Sequence, residues 1–119
     1  MTYKKILISL IITFILNSCE QKNHILKFTK NITDSEILVP PDGCYRLKLI
    51  VNGELECESN LELFMNDKKT NFTDHLILNG NYRQKEIYSS DWYNDKLQLK
   101  FSSMKCIKKT FVVQVKFFD

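Results

Sequence analysis

The feature that most constrains the fold of this chain is a two-residue alternation of apolar and polar side chains, repeated along most of its length. Leu97, Leu99 and Phe101 alternate with Lys96, Gln98 and Lys100, and Phe111, Val113, Val115 and Phe117 alternate with Val112, Gln114 and Lys116. A strand puts successive side chains on opposite faces, so this period buries one face and wets the other. No segment after the first eighteen residues carries a capped helical period. With only 3 glycines and 2 prolines in 119 residues, few positions interrupt extended chain.

Further strands are expected over His24–Ile32, Ile37–Val39, Asp74–Leu78 and, more weakly, Tyr82–Tyr88. Thr33-Asp34-Ser35-Glu36, Pro40-Pro41-Asp42-Gly43, Asn66-Asp67-Lys68-Lys69, Asn79-Gly80 and Ser89-Ser90-Asp91 read as breaks between them. Asn52-Gly53 is a hairpin turn signature between Cys44–Val51 and Glu54–Leu63. A two-residue loop would set Leu49 against Glu56 and Leu47 against Glu58, putting charge on the apolar face. A three-residue loop, Val51-Asn52-Gly53, pairs Leu49 with Leu55, Leu47 with Cys57 and Tyr45 with Ser59, and sets Lys48 against Glu56 and Arg46 against Glu58. This second register is the expected one, since cross-strand pairs contribute about 0.2–1 kcal/mol each. The sum is about seven strands with short connections, hence an all-β fold: a single antiparallel β-sandwich over residues 25–119.

The amino terminus has another pattern. Lys4-Lys5 precedes an apolar run from Ile6 to Leu16, and the chain turns polar at Glu20-Gln21-Lys22-Asn23-His24. The run is about half the 20 residues a spanning helix needs, and it matches the h-region of an export signal. Leu16-Asn17-Ser18-Cys19 resembles the lipobox of bacterial lipoproteins; Leu16, Ser18 and Cys19 fit its pattern, and Asn17 is a less usual residue at a tolerant position. The resemblance implies cleavage of residues 1–18, acylation of Cys19 with diacylglycerol carrying palmitate-type chains, and attachment to a lipid bilayer. Residues 19–24 then form a short stalk. Asp91–Phe101 with Phe111–Phe118 is similar to the C-terminal half of small β-sandwich lipoproteins of Bacteroidetes-type bacteria. That likeness implies a transthyretin-like or immunoglobulin-like sandwich in the cell envelope, with the outer membrane as the expected location, and it implies no catalytic residue.

The 17 basic and 14 acidic residues fall close to balance once Lys4 and Lys5 are removed, which is not the footprint of a nucleic-acid binder. Lys105, Lys108 and Lys109 read as a solvated loop. If Cys19 carries lipid, three cysteines remain; Cys44–Cys106 is the expected disulfide, with Cys57 a core thiol, because Cys44 and Cys57 fall out of register in the hairpin. His24 and His75 have no partner at metal-ligand spacing. No glycine-framed elbow surrounds a serine, Cys106 has no neighbouring histidine base, and Asp91, Asn94 and Asp95 lack the frame of a calcium loop. Asn71-Phe72-Thr73 matches a glycosylation sequon, without meaning in a bacterial lipoprotein. No catalytic residue, metal or cofactor is expected. Trp92 is expected in the core, and Tyr82, Tyr88 and Tyr93 are candidate binding aromatics. The expectation is a non-enzymatic binding or structural module on a membrane, with a protein partner of unknown identity; the alternative is a small periplasmic inhibitor or immunity protein that plugs a hydrolase or toxin.

Overall fold

A computed structural model describes residues 19–32, 36–65, 72–93 and 96–119. The expected signal segment (residues 1–18), the breaks at Thr33–Ser35 and Asn66–Lys69, the sequon residue Asn71, and Asn94 and Asp95 lie outside the described residues. The chain is all-β. Its strands are β1 (Lys22–Phe28), β2 (Ile37–Leu38), β3 (Arg46–Met65), β4 (Phe72–Asp91), β5 (Leu97–Ser102) and β6 (Phe111–Phe118), with one 3-10 turn at Met104–Cys106.

Every pairing is antiparallel, and β3 is the spine. β4 follows one edge of β3 along its length, from Arg46↔Asp91 to Phe64↔Phe72. The other edge is shared: β6 takes Arg46–Asn52 and β5 takes Asn60–Met65. β1 extends the first half through β6, and β2 extends the second through β5. The β3–β4 ribbon is irregular between Leu55 and Ser59, where β3 holds more residues than β4 opposite it. Such bulges bend a strand and increase its twist. The two halves of the sheet face each other across this bend as a barrel-like sandwich.

The alternation determines which side chains fill the interior. Leu47, Leu49, Val51, Leu55, Leu61 and Leu63 of β3 are buried, as are Leu97, Leu99 and Phe101 of β5 and Phe111, Val113, Val115 and Phe117 of β6. The halves meet through aromatic rings: Phe101 lies 5.4 Å from Phe28 of β1 and 5.4 Å from Phe111 of β6, centroid to centroid. Each fully buried large side chain contributes about 1.5–3 kcal/mol of transfer free energy.

The expected hairpin at Asn52-Gly53 is not formed. Residues 46–65 are one strand of 20 residues, and its hairpin partner is β4, also of 20 residues. Gly53 is instead a point of close approach. A β-carbon there would lie 2.8 Å from Cδ2 of Phe111 and 2.9 Å from the carbonyl oxygen of Thr110, and its φ is 151°. The chain runs straight on because β6 packs across the glycine. The expected partners of Arg46 and Lys48 change with it: Arg46 Nε lies 3.9 Å from Oδ1 of Asp91, and the Arg46 guanidinium and Lys48 Nζ sit 5.3 and 5.2 Å from the centroid of Phe118. Asn79-Gly80 likewise lies within β4 rather than ending a strand. The expected stalk is shorter than residues 19–24, since β1 starts at Lys22 and His24 is paired with Val115.

Candidate functional site

The cysteines occupy two places. Cys19 is joined to Cys44, with Cα atoms 4.8 Å apart, and Cys57 to Cys106, at 5.0 Å. Both separations suit a disulfide. The expected Cys44–Cys106 bond, with Cys57 a free core thiol, is therefore corrected. The unbroken β3 is the reason. Cys44 precedes one end of the strand and Cys57 lies at the bend, about 40 Å of strand contour away. Cys106 is held at the bend by the bridge between Leu55 and Ile107 and by the 3-10 turn. Cys57 is exposed and Cys106 is buried. A disulfide at Cys19 and a thioether to lipid at Cys19 use the same sulfur and exclude each other.

The end of the sandwich around Cys19 carries a second group of residues. The Trp92 backbone N–H donates to the carbonyl of Tyr45 at 2.7 Å, which draws the chain after β4 across the start of β3. Trp92 is buried, as expected. Tyr45 and Tyr93 face each other outside the core at 6.0 Å between centroids, 41% and 66% exposed. Val39, also exposed, lies on a segment with Pro40, Pro41 and Asp42 that flanks Glu20–Lys22.

The candidate aromatics are not one platform. Tyr93 is at this end, whereas Tyr82 lies opposite Gly53, seven residues along β3 from Arg46, or roughly 23 Å at the rise of a strand. Tyr82 and Tyr88 are half-buried and pack on the core. Tyr88 is three residues before the end of β4, and Tyr82 lies beyond two register shifts from it.

Tyr82 belongs to a different constellation. Between Val51↔Lys85 and Gly53↔Tyr82 the register shifts, and β4 holds one residue more than β3. Gln84, within that shift, has a left-handed φ of 46°. Non-glycine residues in this region cost about 1–3 kcal/mol and cluster at functional sites. The bulge opens an open cleft of about 390 Å³ between three segments: Asn52-Gly53-Glu54, Asn81-Tyr82-Arg83 and Lys108-Lys109-Thr110. Tyr82 forms part of its floor. Its ring stands edge-on to Phe111 at 6.0 Å, its hydroxyl accepts the Asn79 N–H at 3.0 Å, and Lys85 Nζ sits 5.9 Å from its centroid. Lys108 is held twice on Glu54: its N–H donates to the Glu54 carbonyl at 3.1 Å, and its Nζ lies 3.4 Å from Oε2. Arg83 and Lys109 are exposed and, among the described residues, have no ion-pair partner. The cleft thus has cations in excess, with the amides of Asn52 and Asn81 beside them. Sequence reasoning singles out Tyr82 and the lysines at 108–109 separately but does not join them into this site, because its residues lie far apart in the chain.

His24 is half-buried, its ring edge-on to Phe117 at 5.9 Å, with Nε2 buried and without a hydrogen-bond partner. Burial, and secondarily the charge of Lys22, push its pKa below the usual value, with a smaller opposing effect of Glu36. Among the described residues no group of three or more His, Cys, Asp or Glu is placed to hold a metal ion, and no helix is long and apolar enough to cross a membrane.

Comparison with known protein families, curated proteins and solved structures finds no match to this chain.

Proposed function

We propose that this chain is exported in a bacterium and serves as a non-enzymatic binding or structural module of the envelope, held on the outer membrane through acylated Cys19. The observation that carries this reading is Leu16-Asn17-Ser18-Cys19 placed immediately before a folded domain whose first strand begins at Lys22. The Cys57–Cys106 disulfide supports export, because such bonds persist in oxidising compartments. Two residues between the anchor and β1 span at most about 10 Å. The end bearing Tyr45 and Tyr93 therefore faces the bilayer, and the cleft at Gly53 and Tyr82, farther along β3, faces away from it. Tyrosine suits that position, since its ring settles at membrane interfaces. The alternative is a small periplasmic inhibitor or immunity protein, in which the outward end would plug a hydrolase or toxin.

One observation favours a second reading. With Cys19 bonded to Cys44, the cleaved chain carries no lipid and leaves the membrane as a doubly stapled domain. Fractionation separates the two. Under the anchored reading the wild-type chain sediments with membranes, and Cys19→Ala moves to the soluble fraction and loses acyl labelling. A wild-type chain that is soluble and unlabelled rejects the anchor.

A further inference from the structure

We infer that the cleft between Gly53, Tyr82 and Lys109 binds an anionic carbohydrate, a sugar bearing a carboxylate or a phosphate ester. The inference deepens the binding-module reading and does not depend on the anchor.

Shape, backbone strain and charge meet at the cleft. The first is its shape. The bulge in β4, set opposite Gly53 where Thr110 and Phe111 approach β3 closely, makes a concavity where a regular ladder would be flat. The second is strain, since Gln84 holds a left-handed backbone inside that bulge. The third is charge. Lys108 neutralises Glu54, the one acid lining the cleft, and this leaves Arg83 and Lys109 as excess positive charge at its rim.

The neutral groups define the rest of the ligand. The Asn52 and Asn81 side chains each offer two N–H donors and a carbonyl acceptor, and the Tyr82 hydroxyl, already accepting from Asn79, keeps its proton to donate. Amides beside cations suit a ligand with hydroxyls next to a negative group. Arg83 provides planar, paired donors for a carboxylate or phosphate, and Lys109 a point charge. An apolar ligand would leave these groups unpaired. The face of Tyr82 is occupied by Lys85, so the sugar is held by its edge hydroxyls and its charge. Both cations are exposed, which sets the affinity in a weak range, with a Kd on the order of 0.1–1 mM for a single sugar unit.

Saturation-transfer NMR on the mature protein tests this with three probes: digalacturonate, glucose 6-phosphate and neutral galactobiose. Saturable transfer to one or both anions is expected, with galactobiose at least about tenfold weaker. Which anion binds distinguishes a carboxylated from a phosphorylated sugar. Arg83→Gln with Lys109→Gln should weaken binding about tenfold or more without moving the thermal midpoint, whereas Lys100→Gln, on β5, should change nothing. Raising the salt concentration about tenfold should weaken the anions selectively. The inference is overturned if no probe shows saturable transfer, if galactobiose binds as well as the anions, or if the double variant binds like wild type. None of these outcomes bears on whether Cys19 is acylated, so the site and the anchor fail separately.

Discussion

Gly53, at a φ of 151°, lies against Phe111 and Thr110 with no room for a side chain. Asn-Gly is a turn former in isolation, yet here β6 lies so close that any β-carbon would enter the space of Phe111. Tertiary packing overrides the local signal. Gly53→Ala should destabilise by about 2–4 kcal/mol, from overpacking and an unfavourable φ together. Gly80 also has a positive φ, of 86°, but open space around it, so Gly80→Ala should cost about 1–2 kcal/mol. Urea midpoints of the two variants check the order; equal losses would mean that Phe111 does not press on Gly53. His24 gives a second expectation. Its folded pKa lies below its unfolded value, so its contribution to stability is complete above about pH 6.5 and is lost as pH falls from there through the folded pKa. The thermal midpoint should drop between about pH 7.5 and about pH 5, and His24→Phe, which keeps the ring against Phe117, should reduce that drop.

At the scale of elements, legibility followed how local each cause was. β5 and β6 were readable because their alternation is complete within each strand, and the buried faces of both match it residue for residue. The apolar positions of β3 were also readable, since odd-numbered residues from Leu47 to Leu63 remain inward apart from Cys57 and the partly buried Gly53. Its length was not. Whether Cys44–Leu63 is a hairpin or a single strand depends on what crosses Gly53, and that is Phe111, some sixty residues away. The disulfides followed from the same choice: a hairpin places Cys44 and Cys57 near each other, and a continuous strand sends them to opposite regions. The cleft was invisible for a related reason, since its three walls meet only after β3, β4 and the 108–110 segment converge. The Cys57–Cys106 bond fastens the bend that makes this convergence possible. It closes 49 residues, and the chain-entropy estimate for its removal is about 4 kcal/mol. Cys57→Ala with Cys106→Ala should lower the urea midpoint accordingly, and an unchanged midpoint would show that the bend is held by packing alone.

For the whole molecule, the sandwich presents two unlike ends. One gathers Cys19, Cys44 and the exposed pair Tyr45 and Tyr93; the other gathers the bend, the second disulfide and the cationic cleft. The proposed anchor would commit the first end to the membrane and leave the second to meet a ligand. On the proposed function Cys19 is the first residue of the mature chain and carries lipid. The most direct measurement is the intact mass of the protein extracted from envelopes, combined with alkylation before and after reduction. The expected result is a chain of residues 19–119 with added diacylglycerol and acyl mass, and one thiol, Cys44, alkylated in the unfolded protein without reduction while Cys57 and Cys106 remain bonded. A mass that retains residues 1–18, or a lipid-free chain with no thiol to alkylate, would contradict it.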